Sequence, residues 1–325
     1  MDLDKVLSLI SDDLVLVEAE LKKNLRCDVS LISKVGEYVL MSGGKRLRPV
    51  LLLLSSKLCG YRGNRQISLA SVLEFIHTAT LLHDDVVDNA ELRRGNTSAN
   101  SLWGNEASVL VGDYMYAKSF SVMVEHGDIR ILDILSSATT RMAEGEVLQL
   151  IKTGDIDATE EDYINIIIKK TAVLLSAACQ AGAILGGVAK KEEDAMSSFG
   201  MNLGIAFQLI DDSLDYISQN EGFGKAIGAD LHEGKMTLPL IHMLRSTEDS
   251  ERNEVIKLVQ KEKKVEEPDL KRVLELINKY KGIEYTVNKA DSYIKEAKNN
   301  LEIFKDSEYR QALFTLCDFV LKRET

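Results

Sequence analysis

Proline is nearly absent from this chain of 325 residues: Pro49, Pro239 and Pro268 are the only three. A proline inside a helix removes a hydrogen bond and clashes with the preceding turn. With so few of them almost nothing interrupts helices, and an all-α fold is expected. Cysteine is scarce as well. Cys27, Cys59, Cys179 and Cys317 lie far apart and form no CxxC pair, which suits neither a zinc site nor a disulfide framework and points to reduced thiols in a cytosolic chain. Positive charge is in deficit, with 40 Lys and Arg against 51 Asp and Glu, a net charge of -11. That argues against nucleic acid, which needs a broad basic surface; a small polyanion held by a few clustered cations or metal ions stays open. Met1 to Glu20 carries several acids and lacks the basic-then-apolar layout of a secretory signal, so a cytoplasmic location is expected. Ser/Pro-rich linkers, low-complexity tracts and fixed-period repeats are missing too, and residues 1–325 are expected to form a single domain.

Amphipathic helices are what the chain does contain. From Leu3 to Val39 apolar residues recur at three- and four-residue steps. Ser42-Gly43-Gly44 breaks that pattern, and further interruptions fall at Gly60 to Gly63, Gly95 to Thr97 and Gly104-Asn105. Leu148 to Thr159 is expected to be a loop, and Asn220 to Gly234, with Gly222, Gly224, Gly228 and Gly234, a longer one. Glu248 to Lys298 is richly charged, as solvated amphipathic helices are. Ala172 to Ala189 has no charged residue and approaches a membrane span in length. Ser176, Gln180 and three glycines lie within it, and a helix buried on all sides of a helical core fits it better.

One short pattern occurs twice: Asp84-Asp85-Val86-Val87-Asp88 and Asp211-Asp212-Ser213-Leu214-Asp215. Each follows an apolar helical run. Residues four apart share a helical face, so Asp84 projects with Asp88 and Asp211 with Asp215. Like charges so placed destabilise a helix unless something neutralises them. Hard cations with oxygen ligands do that, and magnesium typically bridges a few carboxylates to substrate phosphates. One such cluster could equally be a solvated helix end; two, each behind a strongly apolar run, argue for facing metal sites on one diphosphate.

Cations are gathered in two places. Gly43-Gly44-Lys45-Arg46-Leu47-Arg48-Pro49 sets three directly after a glycine pair, and Arg93-Arg94-Gly95 follows the first acidic cluster. Arginine grips phosphate oxygens through parallel hydrogen bonds, whereas lysine acts as a compact point charge. In an acidic chain these groups suggest an anion pocket that needs no metal. His77 lies two turns before Asp84 on the same helical face and is a candidate phosphate contact.

Taken together and in order, these blocks resemble the trans-isoprenyl diphosphate synthases, the polyprenyl synthetase family, and most of all its long-chain octaprenyl- and solanesyl-type members. The resemblance runs from Gly43 to the last helices. It rests on Gly43 to Pro49, Glu74 to Asp85, Arg93-Arg94-Gly95, Glu144-Gly145-Glu146, Lys170-Thr171, Phe207-Gln208, Asp211 to Asp215 and Gly234-Lys235. It implies a single helical bundle with a central cavity, an isopentenyl diphosphate site at Lys45, Arg48, His77 and Arg94, and magnesium ligands at Asp84, Asp88 and Asp211. Arg93, Lys170, Lys235 and Lys225 would surround the allylic diphosphate, with farnesyl diphosphate the expected starter. Thr171 and Gln208 would lie along the reacting carbons, and Asp85 and Asp212 complete the catalytic acids. About three magnesium ions per active site, a homodimer and at most peripheral membrane contact are further implications. Ser213 stands where the family more often has a bulkier apolar residue.

The implied reaction is head-to-tail condensation of isopentenyl diphosphate with an allylic diphosphate. Magnesium and cations make the diphosphate a better leaving group, oxygens and dipoles steady the allylic cation, and a separate pocket holds the attacking double bond close. Ala79 and Thr80, one turn before Asp84, are small where short-chain relatives tend to carry aromatics, so a growing tail can pass toward Ile76, Leu73 and Val72. A helical turn rises roughly 5.4 Å, about one prenyl unit, and a product of about eight units is expected on this resemblance. A short-chain farnesyl or geranylgeranyl synthase is the first alternative. A terpene cyclase would not need the Lys45/Arg48 segment, and a catalytically silent partner subunit typically lacks an acidic cluster. A metal phosphohydrolase, suggested by His83-Asp84, lacks further histidines at ligand-like positions.

Overall fold

The structure is a computed structural model describing residues 1–44, 46–126, 128–217, 228–259 and 267–322. Its first helices start where side chains or turns satisfy the free amides of a first turn. Asp2 accepts from the Lys5 amide at 2.9 Å to open α1 (Leu3–Ser8). After α2 (Ser11–Leu25) and α3 (Ser30–Met41) comes α4 (Leu47–Leu58), with Pro49 in its first turn, where a missing amide proton costs nothing. The long α5 (Arg65–Val87) leads into a hairpin, β1 (Leu92–Arg93) and β2 (Asn96–Thr97), pairing Leu92 with Thr97 and Arg93 with Asn96. Next are α6 (Ala99–Trp103), α7 (Asn105–His126) and α8 (Ile129–Lys152), the last opened by Asp128 accepting from the Arg130 amide at 3.2 Å. A reciprocal Thr159–Asp162 cap starts α9 (Glu160–Ile167), which passes through a π-turn at Ile168–Ala172 into α10 (Val173–Gly186). Then follow α11 (Lys190–Leu214), α12 (Ala229–His232), α13 (Leu238–Ser246), α14 (Asp249–Val259), α15 (Glu267–Lys279), α16 (Gly282–Asn300) and, past a 3-10 turn at Leu301–Ile303, α17 (Glu308–Leu321).

Inner and outer helices differ in sequence for a physical reason. Leu51 to Leu54 on α4 and Val72, Leu73, Phe75, Ile76 and Ala79 on α5 have no exposed surface. Consecutive buried residues mean a helix covered all round. Each fully buried leucine stabilises the fold by about 1.5–3 kcal/mol. α10 is the third inner helix, packed between α4, α8 and α11, while α11 packs on α16 and α5 on α7. Outer helices such as α15 bury one stripe, Val273, Leu276 and Ile277, and expose the rest, as the charged Glu248 to Lys298 stretch implied. The helix from Glu160 to Gly186 is long and apolar enough by composition to cross a membrane, yet 67% of its most apolar window is buried in protein. The uncharged run is therefore a core helix. Cys27, Cys59, Cys179 and Cys317 are all free, and all but Cys27 are buried.

Two local expectations need correction. Leu148 to Thr159 is not all loop: α8 continues through Lys152 on good helix formers, and Gly154, at φ 72°, marks the reversal. The expected helix interruption at Gly95 to Thr97 is present, as the turn and second strand of a hairpin. Within Asn220 to Gly234, residues 220–227 lie outside the described residues, while Ala229–His232 closes into the short α12.

Candidate active site

Both acidic clusters end a helix, α5 and α11, where the carbonyl end of the helix dipole is already negative. Three acids there are doubly unfavourable without cations. At the first cluster Asp84 is half-buried and its carboxyl is pushed up to about 6. Burial is the main cause; Lys170 opposes it, and Glu146 and Asp88 add to it. Asp88 caps the helix and holds Lys235 Nζ at 3.4 Å from its Oδ2. Asp85 points the other way. It is buried, accepts from Arg93 Nε at 2.7 Å, and its backbone carbonyl accepts from Asn100 Nδ2 at 3.2 Å. Arg93 is thus not on a continued helix but on β1, clamped to the helix end by the middle aspartate.

The second cluster divides similarly with different partners. Asp211 is exposed. Asp212 is buried and accepts from the Tyr163 hydroxyl at 2.6 Å and from Gln208 Nε2 at 2.7 Å. Burial, with nearby Asp230, pushes its carboxyl up from the usual range, and those donors oppose the shift. Asp215 holds the following turn, accepting from the Asp230 amide at 3.1 Å through its side chain and from the Gly228 amide at 2.9 Å through its carbonyl. Lys235 pairs with Asp88 of the first cluster, and its amide donates to the carbonyl of Asp230, the residue whose own amide is held by Asp215 of the second. Burial works against the Lys235 charge, but Asp88, Glu233 and Asp230 hold its pKa above the usual lysine range. Lys225 and Lys45 lie outside the described residues.

Lys170 and Thr171 sit inside the π-turn. Such turns insert one extra residue and concentrate at functional sites. Here the insertion has room because its neighbours are glycines: a Cβ on Gly145 of α8 would lie 2.7 Å from Lys169 Cβ, and one on Gly204 of α11 would lie 2.5 Å from Ala172 Cα. On either side of Gly145, Glu146 pairs with Lys170 at 2.7 Å and Glu144 with Lys169. The Glu144-Gly145-Glu146 block thereby holds both lysines. Thr171 donates to Gln208 Oε1 at 2.9 Å.

The basic segment separates by role. Arg46, at φ 48°, turns inward onto Glu18 at 2.8 Å, Glu74 at 2.7 Å and the Leu40 carbonyl at 2.9 Å, and braces α2, α3 and α5. Arg48, His77 and Arg94 are left around one locus. Burial drives the Arg48 guanidinium down to about 10, Glu74 opposing and Arg94 reinforcing the shift, and its Nε is buried without a hydrogen-bond partner. Burial, then Arg48, Arg94, Arg93 and Arg46, holds the His77 imidazole well below its usual range, so it is neutral at pH 7. Gly44 packs on Arg94: a Cβ there would lie 2.7 Å from Nη1. Two guanidinium groups and a neutral imidazole around one buried, unpartnered donor make an anion site.

On α5, upstream of Asp84, Thr80 is half-buried with its hydroxyl on the His77 carbonyl at 2.7 Å, and Ala79, Ile76, Leu73 and Val72 have no exposed surface. A chain reaching those levels has to displace side chains. Sequence reasoning missed Tyr163, Asp230 and Glu233. A tyrosine eight residues before Thr171 carries no motif of its own, although a buried-helix position with a polar tip is a usable signal.

A helical bundle with two acidic helix ends beside a separate cationic locus suits an enzyme that handles diphosphates with divalent metal. The profile of the polyprenyl synthetase family matches residues 29–277, and the chain belongs to that family; it is a prenyltransferase, of a metal-dependent family that uses isopentenyl and allylic diphosphates. It is 41% identical over 324 residues to an octaprenyl diphosphate synthase of Escherichia coli (strain K12), covering 100% of both chains. Among solved structures, a polyprenyl synthase from Caulobacter crescentus CB15 complexed with calcium and isoprenyl diphosphate superposes with a TM-score of 0.93 at 39% identity, covering 100% of this chain and 98% of that one. A decaprenyl diphosphate synthase from Rhodobacter capsulatus does so at 0.93 and 38%, covering 99% of each.

The residues present fit a hard divalent ion. The donors are carboxylate oxygens, Asp84 is raised by burial and by its acidic neighbours Glu146 and Asp88, and among the described residues no three acidic, histidine or cysteine groups converge as a closed cage. An ion shared with substrate phosphates needs only one or two carboxylates per side.

Proposed function

We propose that this chain extends an allylic diphosphate, farnesyl diphosphate as the starter, with isopentenyl diphosphate units to an all-trans product of about eight units. One observation carries the reading. Lys235 pairs with Asp88 at the acidic end of α5 and adjoins Asp230, whose amide donates to Asp215 at the acidic end of α11, while Arg48, His77 and Arg94 gather at a separate locus. Two diphosphates need two such sites, and a cyclase needs only one.

Asp84 and Asp88 from α5 and Asp211 from α11 would hold magnesium, about three ions per active site, which neutralises the leaving diphosphate when bound. Lys170, Arg93 and Lys235 add positive charge around that group, with Lys225 a further member; Glu146 keeps Lys170 extended toward Asp84. Arg48, His77 and Arg94, with Lys45, bind isopentenyl diphosphate. As the allylic C–O bond breaks, its electron pair leaves with the diphosphate. The isopentenyl double bond supplies the pair for the new C–C bond, and a proton passes to the departed diphosphate. Thr171 and Gln208 direct oxygens at the transient positive charge. Ala79 and Thr80, small at the level one turn before Asp84, would let the tail pass as the side chains packed beyond them move aside.

A homodimer is supported by an apolar face: Val109 and Leu110 on α7 and Val147, Leu150 and Ile151 on the adjacent α8 are all exposed.

The test is incubation of the purified chain with farnesyl diphosphate, labelled isopentenyl diphosphate and magnesium, with products sized by chromatography. A ladder ending near eight units is expected, shortened in Ala79→Phe and Thr80→Phe. Products stopping at three or four units in the unmodified chain would defeat the long-chain reading, and absence of elongation would defeat the reaction itself.

A further inference from the structure

Two helices face each other across the Lys170–Thr171 segment, and each presents two polar groups. On α11, Gln208 and Asp212 are one turn apart and bonded to each other at 2.7 Å. On the opposite helix Tyr163 and Thr171 are eight residues apart, which in a regular α-helix would leave them about 80° out of phase. The π-turn at Ile168–Ala172, in which Thr171 itself lies, contains the extra residue that cancels most of this, bringing the pair within roughly 20° of one face. Gly145 and Gly204 are what make room for that turn. The result is a closed run of hydrogen bonds: Tyr163 hydroxyl to Asp212 Oδ2 at 2.6 Å, Gln208 Nε2 to Asp212 Oδ1 at 2.7 Å, and Thr171 Oγ1 to Gln208 Oε1 at 2.9 Å.

We infer that Tyr163 is a positioning residue for Thr171 and Gln208, acting through Asp212 from the side of the network remote from the reacting carbons. The inference rests on the reading that Thr171 and Gln208 face those carbons. A terminal amide can turn over. Turned, Gln208 would place its oxygen against an Asp212 oxygen and its N–H₂ against Thr171. The phenol opposes this by holding Oδ2, which fixes the carboxylate plane and keeps Oδ1 aimed at the amide nitrogen. Gln208 Oε1 then faces Thr171, the Thr171 proton is committed to it, and the remaining lone pairs of Thr171 are left for the developing cation. Without the phenol the carboxylate is free to rotate and the amide to turn, while neither diphosphate site has lost a contact. Tyr163 is buried, 4% exposed, so phenylalanine fills the same space.

Tyr163→Phe, assayed as the full chain with farnesyl diphosphate, isopentenyl diphosphate and magnesium, is expected to lower kcat on the order of 10- to 100-fold, with KM for both substrates within about twofold of the parent. Combined with Gln208→Leu it should cost little more than Gln208→Leu alone, because the two changes break one chain. Parental kcat in Tyr163→Phe, raised KM with unchanged kcat, or fully multiplicative losses in the double variant would each overturn the proposal. If Tyr163→Phe does not fold, Asp212→Asn interrogates the same chain from its middle. It is expected to lose turnover likewise, and parental turnover there also overturns the proposal. Failure of the unmodified chain to elongate would instead strike the functional reading itself, so the two failures are separable.

Discussion

The two DDxxD clusters are spelled almost alike and are put to different uses by their surroundings. In both, the middle aspartate is buried and turned from the first, but Asp85 meets a cation, Arg93, whereas Asp212 meets a phenol and an amide. The first arrangement is an ion pair that fastens a hairpin to a helix end. The second is a hydrogen-bond relay pointing at the site's interior. The third aspartates diverge too: Asp88 reaches across to Lys235, while Asp215 is engaged by the Gly228–Asp230 turn. A repeated motif therefore specifies where carboxylates sit on a helix, and the packed neighbours specify what each is for.

The sharpest way to break this comparison is at the outward acids. Asp84→Asn and Asp211→Asn are each expected to lower kcat about 10³-fold, equivalent to about 4 kcal/mol of lost charge stabilisation. Asp215→Asn should cost under tenfold, because an amide oxygen still accepts from the Asp230 amide. Steady-state kinetics over a magnesium series decides it; equal losses at all three positions would erase the distinction drawn here.

A smaller effect is expected at the first middle acid. Asp85→Asn leaves Arg93 without its counter-charge. With Asp85 1% and the Arg93 side chain 25% exposed, the screened loss is about 2 kcal/mol of stability. Denaturant unfolding measures it, and salt-insensitive stability equal to the parent would show the ion pair to be idle. Glu146→Gln comes next: releasing Lys170 from its 2.7 Å partner should raise KM for the allylic diphosphate several-fold with little change in melting temperature.

The smallest effect concerns His77. Its folded pKa is depressed, so the unfolded chain binds the proton more readily. The stability this contributes is present above the unfolded value of about 6.5 and is lost as pH falls below it. Between pH 7.5 and 5.5 the parent should therefore lose on the order of 2 °C more in Tm than His77→Gln. Parallel curves would mean that His77 is not held neutral.

Much of the site was legible in the chain itself. Asp84, Asp88 and Asp211 could be named because carboxylates on an apolar helix are costly and so stand out; Arg48, Arg94 and His77 came from the clustering of cations together with the family resemblance, and Lys170, Thr171, Gln208 and Lys235 from that resemblance alone. Residue type alone does not separate Arg46 from Arg48, which share one basic segment, and only the family resemblance pointed to Arg48; Glu18 and Glu74, brought in from α2 and α5, are what hold Arg46 as a brace. The extension of α8 to Lys152 was missed because acids and threonines around Gly154 look alike whether they follow a helix or fill a loop.

By itself the sequence determined an all-helical chain, the inner helices and the faces on which carboxylates and cations stand, because helix periodicity and proline scarcity are local properties. Tertiary structure decided which aspartates face outward, which arginine is a brace, and that a π-turn between two glycines sets Tyr163 and Thr171 in phase. Those outcomes depend on groups from distant helices meeting in a low-dielectric interior, where a buried polar atom must take whichever partner the packing provides.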